Sequence, residues 1–169
     1  MNRKSNSVSI SSLAQSGDGS WSLQSFPGAT KDDIGTIRSD TAATALSLLS
    51  FLGGGFDHYG DRYQVNVAGG LRFLVQNQKP NGDLYLATDA KWNESAWLYS
   101  HAMGTIALCE AYGMTGDEKL REPAQKALDF IVRAKASPKE AGVTSRAKGP
   151  TRRSPAGKSW RSRAASWPS

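Results

Sequence analysis

Apolar residues fall into four blocks separated by glycine and polar stretches. From Thr41 to Leu52, Ala42, Ala43, Ala45, Leu46, Leu48, Leu49 and Phe51 leave little polar face beyond Thr and Ser, so the spacing predicts a helix buried on most sides. Ser39 or Asp40 precedes it as an N-cap, and Gly53-Gly54-Gly55 stops it. A second helix, about Asp61 to Gln76, carries Tyr63, Val67, Leu71 and Leu74 on one face. Gly69-Gly70 in its middle costs helix propensity, so it marks either close packing or a kink. A third helix is expected over roughly Glu94–Tyr112, capped by Asn93 and ended by Gly113. The fourth spans about Glu118–Lys135 with Leu128, Ile131 and Val132 as its apolar stripe. Pro123 places the start of its regular part at Glu122.

The blocks repeat. At an offset of 60, Ala42 meets Ala102, Leu46 meets Ile106, Leu48 meets Leu108 and Gly53 meets Gly113. At 57, Leu71 meets Leu128, Phe73 meets Phe130, Leu74 meets Ile131 and Val75 meets Val132. At 63, Gln15 meets Gln78 and Gly19 meets Gly82. Loops absorb the drift, as expected of stacked helix pairs. The expected fold class is all-α, with about two helix-pair repeats over 15–135, a disordered segment at 1–14 and a basic tail at 136–169.

Charge changes this picture only at the tail. Of 21 Lys and Arg, eight lie in 136–169 with the single acid Glu140, which leaves 13 basic and 14 acidic residues over 1–135. The body is nearly neutral and the basicity is local. The single cysteine, Cys109, excludes an internal disulfide and reads as a buried small hydrophobe. No run approaches the length of a membrane span, and no signal peptide is visible, which leaves the compartment open.

Gln15-Ser16-Gly17-Asp18-Gly19-Ser20-Trp21, followed by such helix pairs, resembles the QW motif of squalene–hopene cyclases and their relatives. Its weaker return is Gln78-Lys79-Pro80-Asn81-Gly82-Asp83-Leu84, where Leu84 replaces Trp and Tyr85 follows. The superfamily has an (α/α)-toroid fold and includes protein prenyltransferase β-subunits; the resemblance, to its prenyltransferase and squalene oxidase repeats, covers about residues 13–135. It implies a fragment of an incomplete barrel, with Gln15, Asp18, Gly19, Trp21, Gln78 and Gly82 as structural motif residues. It also implies an apolar or isoprenoid ligand in a central cavity, a peripheral membrane contact and no cofactor. A Gln amide suits orphan backbone groups at a helix end, Gly permits a tight turn, and Trp covers the result.

The family's cyclases protonate substrate with the middle acid of a D-x-D-D-T-A segment. In Ile37-Arg38-Ser39-Asp40-Thr41-Ala42 only Asp40 is an acid, so Asp40 is the sole catalytic candidate. It reads as an N-cap before it reads as an acid, because no neighbouring carboxyl in the sequence raises its pKa. The prenyltransferase zinc set is not matched: His101 and Cys109 stand eight residues apart, a poor chelating spacing. Nor does Leu108-Cys109-Glu110-Ala111 match the thioester segment of complement-type toroids. His58, His101, Trp92, Trp97 and Tyr99 are expected to be structural, the aromatics as core.

Where the repeat calls for a third motif, the chain turns Ser/Arg/Pro-rich. Read one frame over, the permitted codons of Lys139–Thr144 can encode Gly-Gly-Trp-Arg-Tyr. Those of Pro150–Ser162 can encode Asp-Thr-Ser-Val-Ala-Gly-Trp-Gln-Val-Met-Ala-Leu. The expectation is that residues from about 136 onward are a frameshifted third repeat, and that two repeats alone self-associate through an uncovered apolar face. Two other readings stand: a non-catalytic helical-repeat binding protein, and, where the tail is genuine, a basic nucleic-acid-binding arm.

Overall fold

The computed structural model describes residues 14–24, 30, 32, 38–60, 62–86 and 97–136, and these contain four helices and no strand. The described fold is all-α. Helix α1 is Asp40–Leu52, α2 Gln64–Gln76, α3 Trp97–Thr115 and α4 Glu118–Ala136. Each of α2 and α4 packs on the helix before it, and α1 packs along α3, giving the spatial order α2, α1, α3, α4.

Helix α1 begins where its sequence supplies a cap. Ser39 is extended, and its Oγ accepts the Ala42 N–H at 3.1 Å, which satisfies one of the orphan donors of the first turn. Asp40 is therefore the first helical residue and not the cap. The helix stops at Gly53, whose N–H returns to the Leu49 carbonyl, and Gly55 reverses the chain at φ +83.

The core runs between the two helix pairs. Leu48, Phe51, Val67, Leu71, Leu74, Leu84, Leu108 and Leu120 are all buried in it. Trp21, Phe51, Tyr63 and Phe56 form a chain of tilted and edge-on rings with centroids 5.9, 5.2 and 4.8 Å apart. Truncating Phe51, fully buried, would cost about 3–5 kcal/mol.

Several boundaries and faces differ from the expectation. Helix α2 starts at Gln64, with Tyr63 at its N-cap position. Residues 94–96 and Asn93 lie outside the described residues, as do 1–13, Ile37, Trp92 and the tail from 137. Gly113 does not end α3, because the left-handed residue that stops it is Gly116, at φ +65. Pro123 sits inside α4, which is helical from Glu118; near the N-terminal end a missing N–H removes only the bond back to Lys119. The buried face of α4 is Leu120, Ala124, Ala127, Phe130 and Ala134, while Leu128 and Val132 are 42% and 66% exposed. Ala124 and Ala127 flank Lys126, where Gly82 of the turn at 78–84 lies against the α4 backbone. Gly69-Gly70 reflects close packing: α2 is continuous, and a Cβ on Gly70 would stand 2.8 Å from the Trp21 ring.

Candidate functional site

The turn at 15–21 is held by its own backbone and by α2. Ser16 N–H bonds the Ser20 carbonyl at 2.8 Å and Gly19 N–H the Ser16 carbonyl at 2.9 Å. Asp18 Oδ1 accepts from the Ser20 N–H and Oγ at 2.9 and 2.7 Å, and these bonds hold its carboxyl below the usual range. Gln15 Nε2 donates to the carbonyls of Gly19 and Asn66, both at 2.9 Å, and Gln15 Oε1 accepts from Asn66 Nδ2 at 2.7 Å. Gly19, at φ +90, lies so close to the Gly69 carbonyl that no Cβ could fit. Trp21, buried, donates its N–H to Thr44 Oγ1 at 3.0 Å.

The turn at 78–84 repeats this pattern. Lys79 N–H bonds the Asp83 carbonyl and Gly82 N–H the Lys79 carbonyl, both at 2.8 Å. Gln78 Nε2 donates to the carbonyls of Gly82 at 3.2 Å and Pro123 at 2.9 Å. Gly82, at φ +94, presses on the Lys126 carbonyl as Gly19 does on Gly69. Asn81 Oδ1 accepts the Asp83 N–H at 3.1 Å, the role of Asp18. The turn residues correspond at 63 and their α2 and α4 partners at 57, since Asn66 pairs with Pro123 and Gly69 with Lys126.

One substitution is compensated. In the first turn the Trp21 amide is met by Thr44; at an offset of 60 its counterpart is Gly104, which has no side chain to offer. The Leu84 side chain fills that space, and a Cβ on Gly104 would come within 2.9 Å of it. The Leu84 N–H donates instead to His101 Nδ1 at 3.1 Å, the longer imidazole reaching from one helical turn earlier. With Nδ1 accepting, Nε2 is the ring's donor and faces the Ala127 carbonyl at 3.2 Å. His101 is wholly buried, its ring tilted against that of Phe130 with centroids 4.7 Å apart.

Beside it, Asp83 is a buried carboxylate. It accepts from Lys79 Nζ at 2.6 Å, the Tyr85 N–H at 2.9 Å and Trp97 Nε1 at 3.1 Å, and lies 3.5 Å from His101 Nδ1. Burial raises its pKa, but nearby His101 and these three donors lower it more, leaving the carboxyl far below the usual range. With its partners satisfied, this cluster works as a structural brace.

Asp40 has company that the sequence did not reveal. Burial raises its pKa, the charge of Asp18 raises it further, and a hydrogen bond with Ser22 opposes both. The absence of a neighbouring acid holds along the chain but not in space. Asp40 is half-buried at the start of α1, where burial and the charge of Asp18 together hold it above its ordinary range.

The other candidates make loop and packing contacts. His58 Nε2 pairs with Asp117 Oδ2 at 3.0 Å and its ring lies against Tyr59, tying the loop after α1 to the α3–α4 junction. Cys109 is half-buried against the core, its thiol pKa raised by burial. Trp97 packs edge-on to Phe130 at 5.7 Å. Tyr99 is not core: it is 57% exposed. Among the described residues no three His, Cys, Asp or Glu come together to hold a metal ion, and no helix is long and apolar enough to cross a membrane.

Asn66, Thr44 and Asp117 escaped sequence reasoning. Only the offset of 57 pointed to Asn66, through the α4 carbonyl that takes its place. Leu46 and Ile106, matched at 60, are both exposed apolar side chains, at 40% and 51%. Compared with family models, curated proteins and solved structures, the chain has no match.

Proposed function

We propose that residues 15–135 are two units of an (α/α)-toroid-type repeat resembling squalene–hopene cyclases and prenyltransferases, from a protein that handles an isoprenoid or other apolar ligand. The observation that carries the reading is the duplicated glutamine clamp, Gln15 on Gly19 and Asn66, Gln78 on Gly82 and Pro123. One exposed apolar residue from each first helix, Leu46 and Ile106, then recurs at the same place in each unit, where a ligand-lining surface would recur.

Binding is the primary role in this reading. Two of the three acid positions of the cyclase segment hold Ile37 and Ser39, and Ser39 is committed to capping α1. Asp40 remains as the single candidate acid. That observation favours the second reading, a non-catalytic helical-repeat binding protein, over turnover by this chain. Nucleic-acid binding rests on the tail alone and is the third.

The test is a titration of the full chain with farnesol and, separately, a straight-chain alcohol of similar length, followed by tryptophan fluorescence. Saturable binding of farnesol, weakened by Leu46→Glu or Ile106→Glu, supports the reading. Equal, non-saturable partitioning of both alcohols would overturn it.

A further inference from the structure

The two units provide a comparison of what each face touches. Aligned at 60, Thr41 and His101, Ala45 and Thr105, Leu48 and Leu108, and Phe51 and Ala111 are buried in both, while Ser50 and Glu110 are exposed in both. The exceptions fall into two sets. Ser39, Ala42, Ala43 and Leu52 are buried, yet their counterparts Tyr99, Ala102, Met103 and Tyr112 are exposed or half-buried. The second unit covers α1: Ser39 Oγ donates to Ser100 Oγ at 2.8 Å. Thr41 Oγ1 donates to the Leu84 carbonyl at 2.9 Å and accepts the Leu86 N–H at 3.2 Å. Nothing described covers α3 in this way.

The converse set lies on the other side. Ser100, bonded to Ser39, and with it Ala107 and Tyr85 are buried, while their counterparts Asp40, Ser47 and Ser22 are half-buried. Among the described residues, two faces are therefore left partly uncovered, and they match the two halves of the internal α1–α3 interface.

We propose that these faces dock on each other between copies, head to tail, with α1 and the 15–21 turn of one chain on α3 of the next. The packing reproduces that of α3 on α1 within one chain. Asp40 takes the place of Ser100 and Tyr99 that of Ser39, so the Tyr99 hydroxyl donates to the Asp40 carboxylate across the contact. The contact is heterologous, so every added copy leaves one face of each kind open and assembly continues beyond the dimer unless the ring closes. This inference rests on the repeat proposed above and is independent of the ligand.

The experiment is sedimentation velocity of the full 169-residue chain over a wide concentration range, with far-UV circular dichroism as the fold check. The weight-average mass should climb past twice the 18.1 kDa monomer. Tyr99→Glu, which sets like charges opposite each other, and Asp40→Lys should each abolish this, and the double variant should restore it. Val132→Glu, exposed but on neither face, should leave it unchanged. Tyr99 is exposed, so Tyr99→Glu decides the matter even if Asp40→Lys does not fold. A monomer at every concentration overturns the proposal. So does an assembly that stops at a dimer and ignores Tyr99→Glu. Farnesol titration of Tyr99→Glu separates this failure from failure of the ligand reading.

Discussion

Gln15 and Asn66, 51 residues apart, hold each other by two hydrogen bonds: Asn66 Nδ2 donates to Gln15 Oε1, and Gln15 Nε2 donates to the Asn66 carbonyl. The second unit keeps only the backbone half of this exchange, because Pro123 stands where Asn66 does and has no amide to return. Gln15→Ala should thus destabilise the chain more than Gln78→Ala. The larger loss should be about 1–3 kcal/mol, since three hydrogen bonds of a half-buried amide are removed together. Urea denaturation of both variants checks the order, and an Asn66→Ala, Gln15→Ala cycle should show coupling between the two residues.

Glycines at positive φ separate conformational cost from steric cost. Gly82 and Gly55 both have positive φ, +94 and +83, but a Cβ on Gly82 would strike the Lys126 carbonyl whereas none lies near Gly55. Gly55→Ala should cost about 1–2 kcal/mol, the left-handed backbone alone. Gly82→Ala should cost well beyond that, because the blocking atom is helix backbone and the turn must lift off α4. Equal melting temperatures for the two variants would show that the turn yields easily.

How much of this was readable beforehand depended on whether the signal was periodic. The helices and their offsets follow from apolar spacing and glycine stops, and the face of α2 is the one its sequence implies. The α4 face was misread because Leu128 and Val132 are its conspicuous hydrophobes, while its buried face is mostly alanine around Phe130. The bond from Leu84 to His101 was invisible for another reason: it substitutes for a contact one helical turn away, so no fixed offset marks it. Asp18 beside Asp40 joins segments 22 residues apart, a proximity no local pattern encodes.

Asp83 should give acid sensitivity. Its folded pKa is depressed, so its contribution to stability is complete above the unfolded value of about 4 and is lost as pH falls below it. Asp83→Ala, which removes the acceptor that Lys79 Nζ, Trp97 Nε1 and the Tyr85 N–H share, should cost about 1–3 kcal/mol at neutral pH. Unfolding measured from neutral to strongly acid pH should show the wild-type advantage over Asp83→Asn shrinking as pH drops. A constant gap between them would mean that the carboxylate charge contributes nothing.

Asp40 has the opposite sign. A carboxyl raised in the folded state binds its proton more tightly there than in the unfolded chain, so it favours folding below the unfolded pKa and opposes it as pH rises. Asp18 is one of the two causes of the rise. Asp18→Asn keeps an acceptor for the Ser20 N–H and Oγ but removes the charge, and should move the Asp40 titration down toward the ordinary aspartate range. Carbon-13 NMR of the side-chain carboxyls reads this directly. If the midpoint stays where it is, burial alone sets it and the two acids do not act as a pair. If it falls, Asp40 owes part of its raised pKa to the turn at 15–21, a link that neither stretch shows by itself.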